Sequence, residues 1–157
     1  MFERHWLRQA GHAGALLSAL GVVVWLSGLP FPSLGPTAYL FATAPSAPQS
    51  STRRVVGGHT IGVVAGLAAY HVLAGDVTIT ASMGTATMDG LRLAASAVAA
   101  VALTTAGMAV TDTGHAPACA TTFIVGLGIL ASPLTSAVIL LAVGALVVEQ
   151  SCLVRLA

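Results

Sequence analysis

The sequence predicts an all-α membrane protein, a helical bundle of four long transmembrane helices plus two short, broken half-helix segments. Three observations carry that prediction. Of the 157 residues, 56% are hydrophobic and only 7% charged, with a mean hydropathy of +0.91. A soluble domain carries about 25% charged residues, so this chain cannot cover itself with a water-facing surface. Four apolar runs, about 13–29, 55–74, 91–111 and 134–154, reach or approach the roughly 20 residues that span a bilayer. Between the first two runs, and again between the last two, lies an apolar segment broken by proline and glycine: Phe31 to Pro45 and Thr111 to Leu130. Broken backbone at membrane depth is tolerated only where protein or a cavity surrounds it.

The first run follows Arg4 and Arg8, a pattern shared with signal peptides. It is long for that role and the rest of the chain is equally apolar, so it reads as the first membrane helix, with Trp6 and Trp25 at the two interfaces. In the first broken segment, Pro30, Pro32, Gly35 and Pro36 disfavour helix up to Pro36, and a half-helix from about Pro36 to Ala44 follows. Ser33 or Gly35 stands near its cap. A polar connection, Ser46 to Arg54, leads into the second run, where Gly57, Gly58, Gly62 and Gly66 form a ladder of small residues suited to close packing in lipid. His59 lies a turn into this run and His71 deeper along it. Gly75 to Gly90 divides two halves. After the third run, Gly114 and Pro117 make the second break, and its half-helix runs on to about Leu130. Cys119 and Cys152 read as buried packing residues, with no disulfide or redox spacing between them.

The whole chain, 1–157, reads as a single membrane domain with pseudo-repeat halves of about 1–75 and 90–157. Pro36 and Pro117 are 81 residues apart, and that shift moves 13–29 to 94–110 and 55–74 to 136–155, close to the third and fourth runs. The repeat is one of hydropathy and breakage, not of residue identity. Arginine placement bears on the topology, because basic flanks favour the cytoplasm. If the broken segments cross, Arg4, Arg8, Arg53, Arg54 and Arg155 share the cytoplasmic side and the Asp76 to Asp89 connection lies opposite; only Arg92 dissents. If they dip and return, Arg53 and Arg54 fall on the wrong side. Six crossings thus fit the charges better than four, with both termini of a multi-pass cell-membrane protein in the cytoplasm and the halves allowed to form an inverted repeat of three plus three.

In that arrangement both half-helix N-termini point to mid-membrane, where free N–H groups and the helix dipole favour an anion. The hydroxyls of Ser33, Thr37, Thr113, Thr121 and Thr122 could supplement them. The substrate-binding candidates are Ser33, Gly35, Pro36 and Thr37 at the first break and His115, Pro117 and Thr121 at the second. His59, Arg53, Arg54 and Asp112 are candidates for gating or proton coupling, since imidazole titrates near neutral pH. A Gly-Pro break also suits a simply kinked packing helix, and Asp112 and His115 also suit an interfacial position; the residues leave both readings open. No metal, cofactor or catalytic motif is recognisable, so an enzyme is not expected, and no basic stripe suggests nucleic acid. The expected partners are the lipid bilayer, a small inorganic anion and, given the small size and small-residue ladders, further copies of the chain.

FPSLGPTAYLF, the loop onward to RRVVGGHTIG, and TDTGHAPACATT together resemble the HPP family of small integral membrane proteins, over nearly the whole chain. The family takes its name from a His-Pro-Pro motif, to which His115-Ala116-Pro117 corresponds; Ala116 stands where the motif has its first proline. The resemblance implies four membrane helices, against the six crossings that the charges favour. Some members are implicated in nitrite transport. The resemblance therefore implies a membrane transporter or channel for a small monovalent anion, nitrite among the candidates. A non-transporting assembly or regulatory subunit, its breaks merely packing, is the alternative.

Overall fold

The structure, a computed structural model, describes residues 3–29, 31–75, 77–80 and 83–156. Pro30, Asp76 and the Arg4 side chain, all used above, lie outside the described part. The helices follow in the order α1 (Glu3–Ser27), α2 (Leu34–Thr43), α3 (Thr52–Leu73), α4 (Met88–Thr111), α5 (Ala118–Gly126) and α6 (Pro133–Leu156), with a 3-10 turn at Pro48–Ser50. No strand occurs among the described residues. Among the described residues, four helices, α1, α3, α4 and α6, are long and apolar enough to cross a membrane.

Local chemistry sets the helix ends. Thr87 caps α4 by accepting the Gly90 N–H (3.1 Å), and Asp89 in the first turn suits the positive end of the helix. This cap starts α4 three residues before its apolar run. Asp112 ends the same helix in the left-handed conformation (φ 50°). The second half-helix stops at Gly126, short of the expected Leu130, because Gly128 turns the chain with φ +77°. A side chain there is doubly excluded: a Cβ would sit 2.6 Å from the Val77 carbonyl and 2.7 Å from the Tyr70 ring. The first half-helix begins at Leu34, not Pro36, and takes Pro36 into its first turn, where the missing N–H costs nothing.

Chain direction follows from contacts between elements. α3 and α4 are antiparallel: Arg53 and Arg54 at the start of α3 pair with Asp112 at the end of α4, and Arg92 near the start of α4 donates to the Leu73 carbonyl at the end of α3 (3.2 Å). The end of the bundle holding Arg53 and Arg54 is termed the arginine end below. α6 finishes there, since Arg155 shares a groove with Thr52. α1 starts there, since His12 bonds Gln150 of α6 (2.8 Å) and Arg8 lies beside Pro45 and Val154. Trp6 and Trp25 of α1 are both exposed, about 28 Å apart along the axis at 1.5 Å per residue, close to the thickness of a hydrocarbon core.

The two short helices also run between the ends. α5 lies alongside α3 in the same direction: Gly58 faces His115 and Ala118, Gly62 faces Thr122, Gly66 faces Val125, and Gly128 reaches Tyr70. The segment from Asp112 to Gly128 thus passes from the arginine end to the opposite end. α2 finishes at the arginine end, where Phe41 and Ser46 border Thr52 and Arg155, after the chain has left α1 at the opposite end. Each short helix covers only about 13–15 Å, and non-helical chain, 28–29 and 31–33 before α2 and 113–117 before α5, lies ahead of it.

Lipid gives no hydrophobic incentive for helices to associate, so contact depends on close approach. The glycine ladder of α3 serves that purpose for one neighbour in particular. Cβ atoms at Gly57, Gly62 and Gly66 would stand 2.7–2.8 Å from Thr113, Thr122 and Val125. On the other side of α5, Gly126 rests on Ala97 and Ala100 of α4. Small residues therefore hold the second broken segment between α3 and α4. An apolar core joins the first broken segment to α6 and α1 through Phe31, Leu34, Phe41, Ile139, Val143 and Leu16.

Candidate functional site

His59, Thr37, His115 and Thr121 come from four different segments and are all fully buried. α3 presents His59 two turns in from the arginine end. Gly58 beside it allows the chain before α5 to approach until a Cβ would meet that of His115 at 3.0 Å. The first turns of α2 and α5 then add Thr37 and Thr121. Thr37 Oγ1 lies 3.2 Å from His59 Nε2 and 3.1 Å from His115 Nε2. His59 Nδ1 lies 2.8 Å from Thr121 Oγ1, and His115 Nδ1 lies 2.8 Å from the Gln49 carbonyl oxygen. The two rings are 5.2 Å apart, tilted by 55°.

The carbonyl of Gln49 can only accept, so His115 Nδ1 carries a proton. In the neutral ring Nε2 is then an acceptor and takes the Thr37 hydroxyl proton. Thr37 has no second proton, so His59 Nε2 must donate to it, and His59 Nδ1 accepts from Thr121. One acceptor at the end of the chain thus fixes both tautomers and the direction of four hydrogen bonds. Gln49 sits on the exposed 3-10 turn, so the chain of bonds leads from the core to the arginine end. A second buried pair, Thr104 with Thr122 (2.9 Å), ties α4 to α5 close by.

Each predicted residue has a definite place. Thr37, His59, His115 and Thr121 join one network. Pro36 and Pro117 line one groove of about 420 Å³, together with Tyr39, Gln49 and Ala116. The two breaks therefore do come together. Ser33 is buried at the start of α2 without a side-chain capping bond, and Gly35 has open space where a Cβ would be. Arg53, Arg54 and Asp112 stand apart from the histidines. They form an ion-pair cluster at the arginine end, with Arg53 also donating to the Thr111 carbonyl (2.7 Å). The bond and charge of Arg54, and then Arg53, hold the Asp112 carboxyl below the usual carboxylate range. Arg92, out of place by its charge, has a comparable task on α3, where it donates to the Leu73 carbonyl at the helix end.

One expectation changes. The N–H groups at both short-helix starts are not free: Leu34 and Gly35 donate to Phe31 and Pro32, while Ala118, Cys119 and Ala120 donate to His115, Ala116 and Pro117. Tight 3-10 bonding closes the donors that the isolated breaks promise. Of the hydroxyls, Thr37 and Thr121 bond histidines, Thr113 bonds Thr111 and Thr122 bonds Thr104. Sequence reasoning missed Gln49, which acts through its backbone and leaves no side-chain signal. It also missed Thr104 and the His12–Gln150 bond, whose signal is a polar residue within an apolar run.

Long apolar helices around two broken segments that meet at buried polar groups define a multi-pass α-helical membrane protein. The profile of the HPP transmembrane region matches residues 3–155. The chain belongs to the HPP transmembrane family. No curated protein and no solved structure matches it.

Proposed function

We propose that this protein is a membrane transporter or channel for a small monovalent anion, nitrite being the first to test. The observation that carries the proposal is the meeting of both broken segments at Thr37 and His115, deep in the bundle. Ionisable groups at membrane depth are costly and mark ion paths. Paired broken helices are the usual frame of a transport site. The halves act as an inverted repeat: a shift of 81 carries α3 (Thr52–Leu73) to 133–154, within α6, and α1, α2 and α3 run opposite to α4, α5 and α6. The arginine end faces the cytoplasm with both termini, and the small-residue surfaces support a homo-oligomer.

Because the helix-end N–H groups are bonded and the hydroxyls occupied, an anion gains access when the two segments part at the Thr37–His115 contact beside the Pro36–Pro117 groove. Ser33, Gly35 and the first turns of α2 and α5 then line its path, with Arg53, Arg54 and Asp112 at the mouth. Uptake of nitrite, nitrate, formate and bicarbonate into proteoliposomes tests this. We expect flux of at least one anion, reduced tenfold or more by His115→Ala. Absence of flux with all four would sink the proposal. The complete bonding of the buried network favours a second reading, an assembly subunit whose breaks only pack; it predicts no flux and a specific partner helix.

A further inference from the structure

The directional chain Thr121–His59–Thr37–His115–Gln49 has two self-consistent proton arrangements, and they differ by one proton. The neutral arrangement is the one derived above. Add a proton to His115 at Nε2, and that nitrogen donates to Thr37 instead of accepting from it. The Thr37 hydroxyl must then turn its own proton to His59 Nε2, which becomes an acceptor. In this arrangement His59 is the Nδ1–H tautomer and donates to Thr121, whose hydroxyl turns away, as the neighbouring Thr122 hydroxyl does toward the Ala118 carbonyl (3.1 Å). Every heavy atom stays in place and every group keeps a partner. His115 retains its bond to Gln49 (2.8 Å) in both arrangements.

A second proton does not fit. It would make both Nε2 atoms donors to the one Thr37 oxygen, at 3.1 and 3.2 Å, force the hydroxyl proton away from both rings, and place two cations with ring centres 5.2 Å apart. Among the described residues, no carboxylate bonds either ring. The groups bonded to the rings from α2, α5 and the 3-10 turn are Thr37, Thr121 and the Gln49 carbonyl, all uncharged. On α3, Arg53 and Arg54 are taken by Asp112 at the end of α4, and His71 is exposed at the opposite end. Asp89 and Arg92 pair with each other at the start of α4. Glu149 and Arg155 of α6, and His12 of α1, make no bond to either ring among the described residues. The titratable group beside the His59 ring is that of His115, 5.2 Å away between ring centres.

We infer that His59, Thr37 and His115 together form a binding site for one proton, never two, and that this proton is the ion that travels with the anion. The coupling rests on the transport reading above; the proton site does not. One cation formed in the core pairs with one monovalent anion, so the loaded site is electrically neutral and each cycle moves no net charge. The Gln49 carbonyl holds the Nδ1 proton of His115 in both arrangements, so the exchangeable proton is the one at Nε2, on the Thr37 side of the ring.

Two measurements on the full-length protein in lipid separate these claims. Nitrogen NMR with labelled imidazoles reads the tautomers directly. At high pH we expect His59 as the Nε2–H form and His115 as the Nδ1–H form. On acidification His115 should become the imidazolium while His59 changes to the Nδ1–H form at the same midpoint. Thr37→Val should abolish the linked change at His59, and Thr37→Ser should keep it. Two imidazolium rings present together, or a His59 tautomer indifferent to the titration of His115, would overturn the proton site. Proteoliposome uptake then tests coupling. We expect an inward proton gradient to accelerate nitrite uptake several-fold and an imposed membrane potential to leave it unchanged. Uptake that follows the potential and ignores the proton gradient would overturn the coupling but leave anion transport standing. No uptake of any anion would overturn the transport reading, while NMR still decides the proton site.

Discussion

Thr37 has one proton to give and stands between two imidazole nitrogens, so it sets what each ring can do. Its removal would leave buried nitrogens without partners, at about 1–3 kcal/mol for each group left unsatisfied. Asp112 represents the opposite kind of site, exposed and charged, with two guanidinium partners. Its carboxyl titrates below the ordinary value of about 3.9. A folded-state value below the unfolded one means that the ion pairs stabilise the protein fully above about pH 4, and that this support is lost as pH falls through the lower folded value. Thermal unfolding of Asp112→Asn in detergent should therefore show a small, constant deficit from pH 5 upward. The deficit should close in strong acid and shrink with added salt, because exposed pairs are screened. A deficit that grows on acidification would show that the ion pairs are not its source.

Among the elements, α5 depends most on its neighbours' small residues. At nine residues it is too short to be stable alone, and it is held by α3 on one side and α4 on the other. In Gly62→Ala the new Cβ would meet Thr122 Oγ1 at 2.7 Å and the Ala118 carbonyl at 3.0 Å. Backbone cannot yield cheaply, so the expected loss is about 1–3 kcal/mol. Gly144→Ala on α6 meets nothing within 4 Å and should be neutral or stabilising by up to about 1 kcal/mol, through helix propensity. Unfolding midpoints of the two variants, compared directly, check the contrast. Equal effects would mean that the α3 ladder is not what seats the broken segment.

At the scale of the molecule, the question is whether the broken segments cross or return. Contacts place Ser27 and Ser46 at opposite ends of the bundle, and likewise Thr111 and Ser132. Single cysteines at these four positions, in a chain with Cys119 and Cys152 replaced by alanine, can be labelled from one side of sealed vesicles. Thr111→Cys and Ser46→Cys should react from the same side, and Ser27→Cys and Ser132→Cys from the other. Segments that dip and return would put Ser27→Cys and Ser46→Cys on one side. Arg8, Arg53, Arg54 and Arg155 already gather at one end, as the basic-flank pattern requires of six crossings, and Arg92 is occupied by the end of α3.

By itself the sequence determined the four long helices and the two short ones between them, and its arginines favoured a shared end only on the condition that the short segments cross. Those properties are local: hydropathy, proline and glycine act on the residues that carry them. The sequence also supplied His59, His115, Thr37 and Thr121 as separate candidates. Only the tertiary structure decided that they form one network, across separations of 22, 78 and 62 positions, closed by the backbone carbonyl of Gln49. It alone showed the free helix-end donors to be closed, and the glycine ladder to serve the second broken segment. The physical reason is rotation about the helix axis. Hydropathy places a residue along the bundle, but which side chain it faces is set by where small residues let helices touch, and that is a property of pairs of helices.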